Sequence, residues 1–337
     1  MDIILTGIAR SGTTLSCSLL NRLPQCIALH EPMSPSDLVG LPYPGTYLER
    51  IGTFFADQRS SLLRSGTAVS KGRDGMVPDN PFGTALAATG LRASTVRTWT
   101  VRFDKPLSPD FRLVVKHPNM FTATLPALST RYSCYAIVRN PLAVLLSWNS
   151  IQAPVNEGWL PYGEAFDPEL KSHLAAEPDR LSRQLIILRW YFSRYTHLLP
   201  RNHVIRYEDL ISSGGRALAV MDPDALALSE PLENRNQNHL YDHSLVHALA
   251  DRLLGEESIY GNFYSRSDVE RLCAEWTRGI SGRPAIPKPS VDASTSRSTI
   301  KKWQGWMQMT WSNVGQRIRS AGHRSGIPRP STSQDPR

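Results

Sequence analysis

The chain has 337 residues, 41% of them hydrophobic, enough to bury one large core or two smaller ones and far from the make-up of a short peptide, a collagen or a wholly disordered chain. Lysine and arginine number 38 against 30 aspartate and glutamate, a formal net charge of +8 that points to a polyanionic partner: nucleic acid, an anionic membrane or a phosphorylated ligand. Four cysteines (Cys17, Cys26, Cys134, Cys273) show neither CxxC spacing nor a Cys/His cluster, which speaks against a disulfide framework or structural zinc and for a reducing compartment. The apolar start, MDIILTG, is too short for a signal-peptide core, and no later run approaches the roughly 18 apolar residues of a membrane span. A soluble, cytoplasmic protein is the expectation.

In chain order, Asp2 to Gly7 is rich in Ile and Leu, as a strand buried on both faces should be, and Thr13 to Leu23 sets Leu15, Leu19, Leu20 and Leu23 at helical spacing. From 34 to 110, proline and glycine are scattered, and the segment is expected to be an irregular insertion over one sheet edge. Leu113–Lys116 and Tyr135–Val138 look like further buried strands, and Pro141 opens a helix at its tolerated first turn. Leu181 to Leu199 carries leucines and aromatics on one stripe, the mark of a core-facing helix, and His203–Tyr207 is one more strand candidate. Strands alternating with helices predict a parallel α/β sheet. Gly279–Ser298 reads as a loop, Thr299–Ser320 as a helical stripe of Trp303, Met307, Trp311, Val314 and Ile318, and 321–337 as a disordered basic tail. One domain over 1–320 is therefore expected.

Two motifs carry chemistry. In Gly7-Ile-Ala-Arg10-Ser11-Gly12-Thr13-Thr14, a buried strand passes through a glycine turn into a helix, whose first N–H groups lack partners and whose dipole favours an anion. A nucleotide triphosphatase loop, GxxxxGK[ST], has lysine where Thr13 stands, and the one cation here is Arg10. The second motif is Val138-Arg139-Asn140-Pro141 through Ser147-Trp148. Arg139 offers a fork of donors at a strand end and Ser147 lies about two helical turns on, so both can face one ligand group.

GIARSGTTL resembles the phosphosulfate loop of sulfotransferases that use 3'-phosphoadenosine 5'-phosphosulfate (PAPS), and Arg139 with Ser147 is similar to that family's 3'-phosphate motif. Ile205-Arg206-Tyr207-Glu208-Asp209-Leu210 resembles its YEDL sequence, which implies Tyr207 near the adenine. Arg297 to Trp303 is similar to its Arg-x-Gly-x-Trp loop over the 3'-phosphate but lacks the glycine. The matches run in the family's order from residue 7 to about 303. The resemblance implies a P-loop-type three-layer fold with a central parallel sheet flanked by helices. It also implies PAPS held by Arg10, Ser11, Gly12, Thr13, Thr14, Arg139, Ser147, Tyr207 and Arg297, and no metal.

Sulfuryl transfer needs a base for the acceptor proton and cations for the leaving phosphate. By resemblance to the glutamate-base, Golgi-type members, Glu31 is the candidate base and Lys116 the cation at the bridging oxygen. His117 is the alternative base, and His30, in an extended segment, should point away from Glu31. The acceptor is expected to be a hydroxyl or amine on a small molecule or glycan, the glutamate-base resemblance implying a carbohydrate or glycolipid hydroxyl, with Tyr43, Tyr47, Phe54, Phe55 and Trp99 of the insertion as candidate pocket walls. Two other readings stay open: a P-loop kinase or nucleotidase, and a basic module that binds anionic lipid or nucleic acid without catalysis. Residues 278–337 hold 11 of the basic and 2 of the acidic residues, so 1–277 carries 27 against 28. The body is therefore nearly neutral; nucleic acid is not the expected partner, and peripheral membrane contact is left to the carboxy-terminal helix.

Overall fold

The structure is a computed structural model and describes residues 1–280. The residues of the carboxy-terminal stripe, Arg297, the expected domain end at 320 and the tail from 321 lie outside the described residues.

The chain begins with β1 (Asp2–Gly7), α1 (Thr13–Leu20), β2 (Cys26–His30) and the 21-residue α2 (Gly45–Ser65). Four short strands follow, β3 (Thr67–Gly72), β4 (Phe82–Leu86), β5 (Arg92–Ser94) and β6 (Arg97–Arg102), then β7 (Arg112–Lys116), α3 (Pro118–Ala123), α4 (Leu125–Leu128) and β8 (Ser133–Val138). The second half is mainly helical: α5 (Pro141–Trp148), α6 (Pro161–Glu164), α7 (Pro168–Ala176) and α8 (Arg180–Leu198) precede β9 (Val204–Arg206), α9 (Tyr207–Ser212), α10 (Val246–Leu254) and α11 (Arg266–Ile280).

Five strands form one parallel sheet in the order β2-β7-β1-β8-β9. Side chains alternate across it, as a pleated strand requires. Ile4, Leu29, Val115 and Ala136 face a core built with α5, α8, α10 and α11, while Ile3, Leu5, Ala28, Val114 and Ile137 face α1 and Leu210 of α9. The result is the expected α/β arrangement, a parallel sheet between two layers of helices.

The segment 34–110 is not irregular. Its prolines fall outside the strands and α-helices, α2 accommodates Gly52, and Tyr47, Ile51, Phe55 and Leu62 of α2 recur at helical spacing, all buried on the core. Tyr47 and Phe55, at 1% exposure each, are therefore core residues rather than pocket walls. β3 pairs with β6 antiparallel, and the Oγ of Ser70 accepts from the backbone N–H of His30, which ties β3 to the edge strand β2.

All five strands of the sheet run the same way, so their carboxyl ends share one edge. There the order also reverses, β7 lying on one side of β1 and β8 on the other, the crevice where open α/β sheets build ligand sites.

Candidate active site

The loop after β1 is shaped by three residues with positive φ: Gly7 at 145°, Arg10 at 75° and Gly12 at 95°. A Cβ on Gly7 would stand 2.5 Å from the carbonyl oxygen of Ile137, and one on Gly12 would stand 2.8 Å from Cδ2 of Tyr207, so both positions need glycine for space as well as for conformation. Ser11 is fully buried and its hydroxyl donates to the carbonyl oxygen of Ile137 at 2.7 Å, which fastens the loop to β8. Its only hydroxyl proton is thus used within the fold. No side chain caps α1, and the N–H groups of its first turn have no intrahelical acceptor. The buried Thr13 and Thr14 open that turn.

Arg10 reaches from this loop to Ser147: Nε donates to Oγ at 3.2 Å, while Nη1 donates to Oδ1 of Asn80 at 3.1 Å and the guanidinium lies 4.7 Å from the centroid of the Phe82 ring. Burial lowers the pKa of Arg10 to about 10, still charged near neutrality. Arg139, 4% exposed, donates to the carbonyl of Arg10 at 3.0 Å, to Oδ1 of Asn236 at 2.7 Å, to the carbonyl of Arg235 and to the hydroxyl of Tyr241 at 3.3 Å. Its guanidinium also covers the Tyr207 ring, 4.5 Å from the centroid. Tyr207 is buried at the start of α9, wedged between Gly12 and Arg139, and its hydroxyl accepts from the N–H of Arg235. Arg92 of β5, 2% exposed, donates to Oγ of Ser150 at 2.7 Å.

Arg10, Arg92 and Arg139 meet neutral acceptors, and among the described residues none of the three has a carboxylate within ion-pair distance. Arg235 has one, Asp79 at 3.8 Å. Tyr241 registers the resulting potential. Burial pushes its phenol up, yet Arg139, a hydrogen bond with Ser147, Arg10 and Arg92 together outweigh that and bring it below its ordinary value. Against the cost of burial, Tyr241, Tyr207 and, at longer range, Glu208 favour the charged Arg139. Burial lowers both Arg10 and Arg92, however, and a buried cation without an ion-pair partner is costly, so the crevice favours an anion.

A second cluster stands at the ends of β2 and β7. Glu31 leaves the strand with φ 43°, a left-handed conformation for a non-glycine residue, and its N–H donates to the carbonyl of Lys116. Each carboxylate oxygen is held by one lysine: Oε1 by Nζ of Lys116 at 2.8 Å, Oε2 by Nζ of Lys71 at 2.7 Å. Burial pushes the Glu31 carboxyl up, but Lys116 and Lys71 outweigh it and hold the group well below the usual carboxylate range. Non-glycine residues in strained backbone gather at functional sites, and of the three with positive φ among the described residues (Arg10, Glu31, Asp74) two stand here.

His30 does not point away from Glu31. The left-handed turn at Glu31 breaks the strand alternation, and Nε2 of His30 comes to 3.5 Å from Oε1 of Glu31. His117 is 4% exposed, its Nε2 accepts from the N–H of Met33 at 3.2 Å, and burial lowers its pKa to about 3. With that nitrogen engaged by backbone, His117 braces the Met33 turn.

The candidates from the sequence thus fall into two neighbouring groups on one sheet edge: Arg10, Ser11, Gly12, Thr13, Thr14, Arg139, Ser147 and Tyr207 in one, Glu31, Lys116 and His117 in the other. Lys71, Asn80, Arg92, Asn236 and Tyr241 were not anticipated. Lys71, Asn80 and Arg92 belong to the insertion and Asn236 and Tyr241 to the stretch between α9 and α10, none within a motif that sequence spacing marks.

No protein-family profile and no curated protein matches the chain. Among solved structures it is similar to sulfotransferase STF1 from Mycobacterium tuberculosis H37Rv, at 14% identity over 81% of this chain and 76% of that one, with a TM-score of 0.29. It is also similar to retinol dehydratase in complex with retinol and PAP, at 13% identity over 86% and 83% of the two chains, with a TM-score of 0.22. Likeness at this level leaves the functional reading to rest on the side chains.

Proposed function

We propose that the chain is a sulfotransferase that moves the sulfuryl group of PAPS to a hydroxyl or amine on a small molecule or glycan. The carrying observation is the set of three guanidiniums, Arg10, Arg92 and Arg139, that among the described residues have no carboxylate within ion-pair distance and all act on Tyr241, beside the uncapped start of α1. A donor with phosphate groups at two places fits both the uncapped helix turn and the arginine cluster. A lysine-based triphosphate loop is absent, since Thr13 occupies the lysine's place.

Lys116 and Glu31 supply the remaining chemistry. Glu31 takes the proton of the acceptor as the new bond from acceptor oxygen or nitrogen to sulfur forms. The bond from sulfur to the phosphate oxygen of the donor breaks, its electron pair stays on that oxygen, and Lys116 stabilises the charge. Lys116 is 3% exposed and already directed at the crevice through Glu31, so it needs a change of partner rather than of position on the sheet.

Calorimetry tests the reading. Adenosine 3',5'-bisphosphate is expected to bind much more tightly than ATP, and Arg139→Ala to remove most of that affinity. Equal binding of the two nucleotides would sink the proposal.

A further inference from the structure

Glu31 is gripped by two lysines of different origin. Lys116 comes from β7 of the central sheet, and Lys71 comes from β3, the ribbon of the 34–110 segment that the Ser70 hydroxyl ties to the edge strand. Lys116 is buried and Lys71 is one-third exposed. The two do not compete for the same oxygen, because Lys116 holds Oε1 and Lys71 holds Oε2.

From this division, and resting on the sulfotransferase reading above, we infer that Lys71 is a positioning residue: it keeps Oε2 anchored when Lys116 leaves Oε1 for the departing phosphate. The carboxylate then stays in its place with Oε2 held by Lys71 and Oε1 left by its cation, with only the neutral His30 beside it, its Nε2 at 3.5 Å. Oε1, vacated by Lys116, becomes the oxygen that accepts the acceptor's proton. Without Lys71 the same departure would leave an ionised carboxylate in a buried crevice with no cation on it. Such a group either swings away or takes up a proton before the reaction, and in both cases stops being a base.

The other charged and titratable groups around Glu31 do not substitute for Lys71. His30, 1% exposed, is lowered by burial to about 4, and His117, lowered by burial to about 3, is engaged with the N–H of Met33. Tyr162 and Tyr191 also lie close enough to feel Glu31, and burial raises the pKa of both, so they add no positive charge. Cys17 is buried, with its thiol pushed up to about 12. Lys71 is thus the one cation besides Lys116 that touches Glu31 among the described residues.

The experiment reads Glu31 directly, without turnover. Full-length protein is labelled with carboxyl-¹³C glutamate, the Glu31 signal is assigned by its loss in Glu31→Gln, and its titration is followed free and with saturating adenosine 3',5'-bisphosphate. In the native chain Glu31 is expected to titrate below the ordinary carboxylate value of about 4.3 in both states. In Lys71→Met, and in Lys71→Gln as a second neutral variant, the midpoint with nucleotide should rise by about 1 unit or more over native, while Lys71→Arg stays close to native. A native-like midpoint in both neutral variants overturns the inference. So does a native chain whose Glu31 loses its depression once nucleotide is bound. Failure of the nucleotide to bind overturns the donor reading and the hand-over that rests on it; the free-protein comparison of native and Lys71→Met then still shows whether Lys71 holds Glu31.

Discussion

The ring of Tyr207 fills the space that a side chain on Gly12 would need: Cδ2 stands 2.8 Å and Cε2 3.3 Å from where the Cβ would be. Gly12 opens α1 and Tyr207 opens α9, so this one contact sets the Gly7–Thr14 loop against the end of β9 and, through the guanidinium over the same ring, against Arg139. Gly12→Ala should therefore destabilise the chain twice over, by about 1–3 kcal/mol for a side chain at φ 95° and by the collision with Tyr207. Tyr207→Leu should relieve the second cost and leave the first. A double-mutant cycle on urea midpoints is expected to give a coupling of at least about 0.5 kcal/mol, and strict additivity would mean that the two residues do not press on one another.

Arg92 offers a sharper test of the proposed anion site, because stability and binding should move in opposite directions. Its guanidinium is 2% exposed, bonded to Ser150 and, among the described residues, without a carboxylate at ion-pair distance, so in the free protein it is a buried charge held by neutral groups. A lone buried cation carries a desolvation cost that an apolar side chain of similar reach does not. Arg92→Met should leave the urea midpoint of the free protein unchanged or raised. It should also weaken adenosine 3',5'-bisphosphate by about ten-fold or more, the loss of one charge-assisted hydrogen bond. A variant that binds as tightly as native would remove Arg92 from the site.

What the sequence could announce was local. The strand at Asp2–Gly7, the glycine turn and the helix from Thr13 are neighbours in the chain, and each has its own signal: a two-sided apolar run, a turn residue, a 3.6 period. The same holds for β8, Pro141 and α5, where Asn140 caps the helix through the N–H of Leu142. CIALH of β2 is short and flanked by no turn pair, and α2 follows directly on Pro42 and Pro44, whose loop character masks the stripe of Tyr47, Ile51, Phe55 and Leu62. Lys71 and Arg92 were missed for another reason. Each is brought to the site by pairing across tens of residues, Lys71 by the β3–β6 ribbon and Arg92 by its bridge to Ile151, and no residue spacing encodes such a pairing.

Glu31 and His117 can be separated by turnover once a screen of hydroxyl and amine acceptors with labelled PAPS has supplied an assay. Glu31→Gln keeps the size of the side chain but cannot take a proton, and should reduce kcat by about 10²–10⁴ with nucleotide affinity nearly intact. His117→Gln retains an acceptor for the N–H of Met33 and should keep most of the activity, because His117 serves that bond rather than the substrate. If His117→Gln abolishes turnover while Glu31→Gln does not, the base is the histidine.

The two buried histidines also set a pH dependence of stability whose sign follows from their environment. Burial lowers His30 to about 4 and His117 to about 3, whereas in the unfolded chain each takes a proton below its ordinary value of about 6.5. Below pH ~6.5 the unfolded state therefore binds more protons than the folded one. Stability from this source is complete above that pH and is lost as pH falls toward about 4, each histidine contributing a slope that approaches ~1.4 kcal/mol per pH unit. Glu31 acts in the same sense at lower pH, since its folded value lies below its unfolded one and its contribution disappears only as the carboxylate range is crossed. Urea midpoints between pH 8 and 5 should fall with decreasing pH in the native chain and fall less steeply in His117→Gln, which loses one titrating group and keeps the bond to Met33. Equal slopes in the two proteins would show that His117 is protonated alike in the folded and unfolded states, and so is not held neutral by the fold.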